Sequence, residues 1–179
     1  MIELKLKNRK GSFHVNSKEV KDIIAARQDI GYLQDISNSI NQDNIMVFDC
    51  ELSEMVFSKE EILEAIEALG ETVDESFFEI MFDDIRRFLK DTTDEIEEEL
   101  QDVYCMDNIK CYFEVYNINQ EFSDFKFVFL VSFEDIKIAS LKNAGIASYI
   151  GQQTLKISTN PSTCSNTWID SGNLSGLML

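Results

Sequence analysis

The sequence predicts an α+β fold in which a mainly antiparallel sheet packs against a cluster of about three to five helices. Apolar and polar residues alternate, as they do in strands, near the start of the chain and again over residues 109–133. Between these regions, residues 58–104 repeat apolar side chains at helical spacing and contain three helix-capping sequences. An order of strands, then helices, then strands is typical of α+β proteins, because parallel α/β folds alternate strand and helix.

The first predicted element is a β-hairpin. Ile2, Leu4 and Leu6 alternate with charged residues, and the turn sequence Asn-Arg-Lys-Gly at 8–11 leads into a second short strand. Ser17 is then a candidate N-cap for a helix, because its hydroxyl can accept a hydrogen bond from a free backbone N–H of the first turn.

The stretch after this helix start is less regular. The helix is expected to be interrupted at Gly31, after which Leu33, Ile36 and Ile40 continue at helical spacing. Residues 45–57 have the composition of one or two strands with a bend in the acidic middle.

Three successive helices are predicted over residues 58–104. Capping boxes, in which a Ser or Thr is followed three residues later by Glu, stand at 58–61, 72–75 and 92–95. Gly70 is a natural C-terminal stop for the first helix. The inward faces are Ile62, Leu63, Ile66 and Leu69 in the first helix, Phe78, Met81, Phe82, Ile85, Phe88 and Leu89 in the second, and Ile96, Leu100 and Val103 in the third.

A second hairpin is predicted from the alternation of Ile109 to Ile118 and of Phe125 to Phe133. The second strand has a strongly apolar face, which must lie against helices or another sheet. We therefore expect one acidic α+β domain over 1–140. Residues 141–179 are a nearly uncharged tail or extension rich in Ser, Thr, Asn and Gly, which either simply follows the core or docks as a strand or an oligomer contact.

The expected compartment is the cytoplasm. The N-terminus carries charges where a leader peptide would be apolar, and no run of about 18 apolar residues predicts a membrane span. Four cysteines (Cys50, Cys105, Cys111 and Cys164) lack CxxC spacing, and His14 is the one histidine. Because a zinc site needs three or four converging ligands, we expect reduced thiols and no metal or cofactor.

The net charge of −17 is the largest departure from an average composition. Residues 28–138 carry twenty-nine acidic and seven basic residues, whereas residues 1–27 carry three acidic and seven basic ones. Nucleic acid is a poor direct ligand for such a chain, since binding it depends on Lys and Arg neutralising phosphates. A charge of this size favours cationic partners instead.

The acidic side chains of the predicted helices form the candidate partner-binding surface, because residues four or three apart share one side of a helix. Like charges at this spacing destabilise a helix, and few lysines compensate them. The candidate residues are Glu60, Glu64, Glu67 and Glu71 on the first helix, Glu75, Glu79 and Asp83 on the second, and Asp94, Glu95, Glu97, Glu98, Glu99 and Asp102 on the third.

Three interpretations of these acids stay open from the sequence: solvated helix faces, an interaction surface for a basic partner, and a divalent-metal cluster. No calcium-loop pattern is present, and no nucleotide-binding, hydrolase-elbow or zinc-protease motif occurs, so we expect no enzyme activity. The low-ranking enzymatic alternative is a metal-dependent nuclease that uses Asp49 and Glu51 with Asp135 and Lys137.

In charge and size the chain is similar to the small acidic inhibitor proteins of phages and mobile elements, of the antirestriction and anti-CRISPR kind. This resemblance implies a non-enzymatic protein whose DNA-mimic-like surface blocks the basic cleft of a nucleic-acid-handling protein. The alternatives are an immunity protein or antitoxin that neutralises a cognate toxin, and a phage or host assembly protein that associates through its aromatic sheet face and its tail.

Overall fold

The computed structural model describes residues 1–39, 44–53, 55–56, 64, 67–68, 75–118 and 125–134. The elements within these residues are β1 (Glu3–Asn8), β2 (Gly11–Asn16), α1 (Ser17–Ala25), β3 (Ile30–Asp35), a 3-10 turn (Ser37–Ser39), β4 (Ile45–Leu52), α2 (Glu75–Tyr104), β5 (Lys110–Ile118) and β6 (Phe125–Ser132). The predicted tail lies outside the described residues.

The strands form two antiparallel sheets. β1 and β2 make a two-stranded sheet, and the other four strands make a sheet of order β3-β4-β6-β5. Both predicted hairpins are present, so the mixed α and antiparallel β architecture is confirmed. Two α-helices and one 3-10 turn have bounds within the described residues, and a cluster of three to five helices is therefore not supported.

The N-terminal hairpin turns where the sequence predicts. Leu6 pairs with Phe13 and Asn8 pairs with Gly11, so the turn is closed by a glycine whose φ is +129°. Glycine adopts this φ without the steric cost that a side chain would add.

The start of α1 differs from the prediction by one residue. Asn16 is the N-cap, and its side-chain oxygen accepts a hydrogen bond from Glu19 N at 2.9 Å. Ser17 is instead buried, where its hydroxyl accepts from Ile2 N at 2.9 Å and donates to Asp35 at 2.5 Å. Either residue type can cap a helix, and the tertiary bonds of Ser17 decide which one does.

The predicted continuation of the helix past Gly31 is wrong, because this stretch is strand β3. It pairs with β4, and the register shifts at Gly31, whose added Cβ would lie 3.2 Å from Ser53 Cα. Leu33 packs on the core, as a strand residue can, while Ile40 lies outside the described residues. Pairing with a buried neighbouring strand outweighs a weak helical period.

The expected break between the second and third helices is also wrong, since α2 is continuous from Glu75 to Tyr104. Thr92 and Thr93, the residues of the third capping box, are helical and buried. No Gly or Pro interrupts the segment, and the apolar stripe continues through it, so burial outweighs the capping preference of threonine. The first two capping boxes lie outside the described residues, apart from Glu75.

The main core lies between the helices and one face of the four-stranded sheet. Ile85, Leu89, Ile96 and Leu100 of α2 are buried there. The apolar face predicted for the last strand packs in the same cluster, which contains Phe125, Phe127, Phe129, Val131 and Phe133. No helix in the described part of the chain is both long enough and apolar enough to cross a membrane.

Candidate interaction surface on helix α2

The outward side of α2 carries a line of carboxylates, which we call the acidic row and define as Asp91, Glu95, Glu98 and Asp102. All four are exposed, and their spacing places them along one side of the helix. At a rise of about 1.5 Å per residue the row is about 16 Å long. The buried stripe of the same helix faces the opposite way, so core packing holds the row toward solvent.

The charge along α2 is unevenly distributed. Arg86, Arg87 and Lys90 lie in its middle, but no Lys or Arg occurs between Asp91 and Tyr104, and none lies in the last turn. The C-terminal end of a helix carries a partial negative charge, so carboxylates there are unfavourable. The acidic row therefore ends, at Asp102, where the helix itself opposes negative charge.

Two basic residues, which make three intramolecular ion pairs, partly neutralise this side. Arg27, just after α1, binds Glu95 at 2.8 Å and Glu99 at 3.5 Å. Lys90 lies 3.7 Å from Asp94 one turn later. Within the described ranges, the other three members of the row have no ion-pair partner; these are Asp91, Glu98 and Asp102.

Glu97 makes structural contacts between α2 and β5 and is not part of the exposed acidic row. One carboxylate oxygen accepts from Lys110 Nζ at 2.6 Å, and the other accepts from the backbone N–H of Cys111 at 2.8 Å. Gln101 donates to the same carboxylate at 3.2 Å. The Glu97 side chain is only 18% exposed and joins α2 to the start of the edge strand β5.

The remaining candidate residues fall into separate groups. Asp94 and Glu99 are exposed beside the row, and Asp83 is exposed farther toward the helix N-terminus, beyond the basic residues. Glu64 and Glu67 are helical and exposed. The backbone of Glu75 and Glu79 is part of α2. Glu60 and Glu71 lie outside the described residues.

Two residues of this surface were not predicted. Asp91 precedes Glu95 by four residues, which is a helical signal, but the supposed helix start at Thr92 excluded it. Arg27 gives no local signal, because it reaches Glu95 across 68 positions of the chain.

The C-terminal end of α2 is fixed against the N-terminal hairpin. Cys105 has a φ of 52°, and Met106 N donates to Gln101 O at 3.0 Å, which is the pattern of a Schellman cap. Asn8 donates to the last helical carbonyl, that of Tyr104, at 2.7 Å. Burial, followed by the nearby Glu19 carboxylate, raises the pKa of Tyr104 to about 12, so its hydroxyl is neutral. These contacts position the end of the acidic row.

Other residues that could take part in chemistry are buried or already make structural contacts. Burial raises the pKa of the Cys50 and Cys111 thiols well above the ordinary value, which leaves them protonated. Asp49 accepts from Tyr116 Oη at 2.7 Å, and Glu51 binds Lys126 at 2.8 Å. Among the residues that the structure describes, no three His, Cys, Asp or Glu side chains converge as metal ligands would.

Comparisons of the chain with protein-family models, with curated proteins and with solved structures give no match.

Proposed function

We propose that this protein is a non-enzymatic interaction protein whose acidic row binds a basic cleft on a nucleic-acid-handling protein and blocks it. The observation that carries this proposal is a set of carboxylates on the exposed side of the C-terminal half of α2, Asp91, Glu98 and Asp102, which have no ion-pair partner among the described residues. Asp102 lies in the last turn, where it opposes the helix dipole, and the acids of the row repel one another. A charge pattern that costs stability and is left uncompensated is more readily explained by a contact than by folding.

The dimensions of the row suit a groove that binds nucleic acid. Neighbouring carboxylates lie three or four residues apart, which corresponds to about 5–6 Å between their Cβ atoms. One strand of a duplex carries a phosphate about every 3.4 Å of helix axis, and lysines and arginines of a binding groove are arranged to neutralise such a line. The acidic row presents negative charge to those lysines and arginines, but it has no nucleobases for the groove to read.

Competing interpretations use other surfaces or another partner. An assembly protein that associates through its aromatic sheet face would need that face exposed, whereas α2 packs against it within the chain. An immunity protein or antitoxin would use the same acidic row against a toxin. A toxin gene beside the coding sequence would favour this second reading.

A pull-down from host lysate with two matched variants tests the proposal. We expect partners that bind the wild-type chain at low ionic strength, that duplex DNA displaces, and that about 0.5 M salt releases. The variant Glu98→Lys/Asp102→Lys should lose these partners.

The control Glu3→Lys/Asp22→Lys changes the net charge equally at exposed positions away from α2 and should retain them. Equal retention by both variants, or partners that DNA does not displace, would contradict the proposal.

A further inference from the structure

An amine and a thiol are in contact where the N-terminal hairpin meets the end of α2. Lys10 Nζ donates a hydrogen bond to Cys105 Sγ at 3.1 Å, across 95 positions of the chain. Both residues are exposed. Lys10 lies in the turn between β1 and β2, and Cys105 directly follows the last helical residue. Two nucleophilic groups therefore lie within bonding reach of each other at the protein surface.

Contacts on either side hold these two groups next to each other. Asn8 Nδ2 donates to the last helical carbonyl of α2 at 2.7 Å, and Arg9 pairs with Asp107 at 2.9 Å. Asn8 Oδ1 also accepts from Lys10 N at 2.8 Å, which fixes the backbone of Lys10 within the same turn. A reaction between groups that are held in contact avoids most of the entropy cost of bringing them together.

A cleft beside the pair gives small molecules access to the sulfur. Its volume is about 270 Å³, and the residues that line it with the pair include Gly11, Ser12, Phe13 and Val103. The space beside Gly11 is open, because an added Cβ would meet no atom within 4 Å. A water molecule occupies about 30 Å³ in the liquid, so hydrogen peroxide, which is only slightly larger, can enter this cleft.

The surroundings of Cys105 differ from those of the other cysteines that the structure describes. Cys50 and Cys111 are buried, and burial raises the pKa of both thiols well above the ordinary value, so they stay protonated. Cysteines that react with peroxide do so as thiolates, and they are accessible and lie next to a cation. Cys105 meets both conditions, through its exposure and through the Lys10 ammonium.

We propose that Lys10 and Cys105 form a peroxide-sensitive modification site, in which oxidation joins Nζ to Sγ by a sulfenamide bond. In the first step the Cys105 thiolate attacks hydrogen peroxide, so that an S–O bond forms and the O–O bond breaks. The sulfur is oxidised by two electrons and the peroxide is reduced by two. The Lys10 ammonium gives a proton to the leaving hydroxide, which departs as water, and Lys10 becomes a neutral amine.

The second step joins the two side chains. Sulfenic acids condense with nitrogen nucleophiles to sulfenamides, and the amine nitrogen of Lys10 is in contact with the sulfur. The S–N bond forms, the S–O bond breaks, and the hydroxyl leaves with one amine proton as water. One thiol, one amine and one peroxide thus give one sulfenamide and two waters, so the chain becomes lighter by two hydrogens.

The bond would link the hairpin covalently to the end of α2 and remove the positive charge of Lys10 from that place. Excess thiol should reverse it, because two thiols reduce the S–N bond to a thiol and an amine while they form a disulfide. This modification site is independent of the proposed function of the acidic row.

Peptide mapping of the full-length chain after treatment with hydrogen peroxide tests the proposal. The chain is oxidised in its native state, digested without reduction and analysed by mass spectrometry. We expect two peptides joined through Lys10 and Cys105, with a mass two hydrogens below the sum of the separate peptides. Dithiothreitol should separate them. The same treatment of wild-type chain unfolded in urea should give severalfold less of this product, because the two groups are then far apart.

Lys10→Arg is the matched variant, because it keeps a cation beside the thiol but replaces the amine by a guanidinium that stays protonated. Its Cys105 should be oxidised and remain a sulfenic acid. Dimedone, which labels sulfenic acids, should therefore modify Cys105 severalfold more in this variant than in the wild type. The proposal is overturned if the Lys10–Cys105 product is absent, if Cys105 joins mainly to another lysine or cysteine, if native and unfolded chains give equal yields, or if dimedone labels both chains equally.

Discussion

Arg27 donates a hydrogen bond to Glu95 at 2.8 Å and thereby joins the segment that follows α1 to the middle of the acidic row. The Arg27 side chain is 27% exposed and the Glu95 side chain is 64% exposed, so solvent screens the pair and limits its strength. The same guanidinium reaches Glu99. Arg27 is thus the basic residue that connects the N-terminal part of the chain to this surface.

Replacing Arg27 should weaken the fold in a salt-dependent way. We expect Arg27→Gln to lower the free energy of unfolding by about 1 kcal/mol at low salt, because it leaves Glu95 and Glu99 uncompensated. The difference should shrink at about 0.5 M salt, where charge repulsion is screened. Urea unfolding at the two salt concentrations measures this. Arg87→Gln, which disturbs a more exposed pair with Asp84 at 3.6 Å, is the matched control and should have little effect.

Neighbouring glutamates of α2 should respond in opposite directions. Glu97→Ala removes the acceptor of Cys111 N–H and the partner of Lys110, so we expect a loss of about 1–3 kcal/mol. Glu98→Ala removes an exposed charge that is repelled by Asp94 and Asp102 one turn away, and it should be neutral or stabilising by up to about 1 kcal/mol. Denaturant unfolding of both variants measures the two changes in the free energy of unfolding. Similar changes in the two would mean that Glu97 has no structural role.

A proline at Asp91 distinguishes one long helix from two capped ones. Asp91 is exposed, so its side chain contributes little packing, but its backbone N–H belongs to the helix interior. Asp91→Pro should therefore cost about 3 kcal/mol or more, whereas Asp91→Ala should cost nothing. If thermal and urea unfolding show the proline tolerated, a helix boundary lies at Thr92 after all.

The carboxylate of Asp35 should make stability depend on acid pH. Burial raises its pKa, but hydrogen bonds from Ser17 and Ser37, together with the charge of the Met1 amino group, outweigh burial and hold the pKa below the ordinary 3.8. A lowered pKa in the folded state means stability that is present above 3.8 and is lost as the pH falls through the folded value. Asp35→Asn should thus be destabilised near pH 7.

The difference in free energy of unfolding between Asp35→Asn and the wild type should disappear as the pH is lowered below the ordinary aspartate range. Following both chains by urea unfolding from pH 7 downward separates this effect from the general relief of charge repulsion, which the two share. If this difference in free energy stays constant with pH, Asp35 stabilises the fold through its hydrogen bonds and its negative charge does not contribute.

The elements that the sequence predicts correctly are those whose signal is local. The N-terminal hairpin follows from alternation ending at Gly11, and β6 follows from alternating phenylalanines that bury one face. The inward residues of α2, such as Ile85 and Leu100, follow from helical spacing. In each case a few consecutive residues contain the whole pattern.

The candidate surface was predicted less completely, because carboxylates on one helix can have different roles. Spacing alone places Glu97 and Glu98 on neighbouring positions of an acidic helix. The difference between them comes from β5, whose Cys111 N–H needs an acceptor that Glu97 supplies. No feature within the helix sequence distinguishes the two.

The class of fold, the two hairpins, the apolar faces and the concentration of negative charge in the central region all follow from local sequence patterns, since each depends on neighbours along the chain. Three other features are set by contacts in the folded chain: residues 30–35 form a strand, Thr92 lies inside a helix, and Arg27 reaches Glu95. These outcomes depend on groups that are distant in sequence. Burial against such partners contributes more free energy than the local preferences of a capping threonine or a weak helical period.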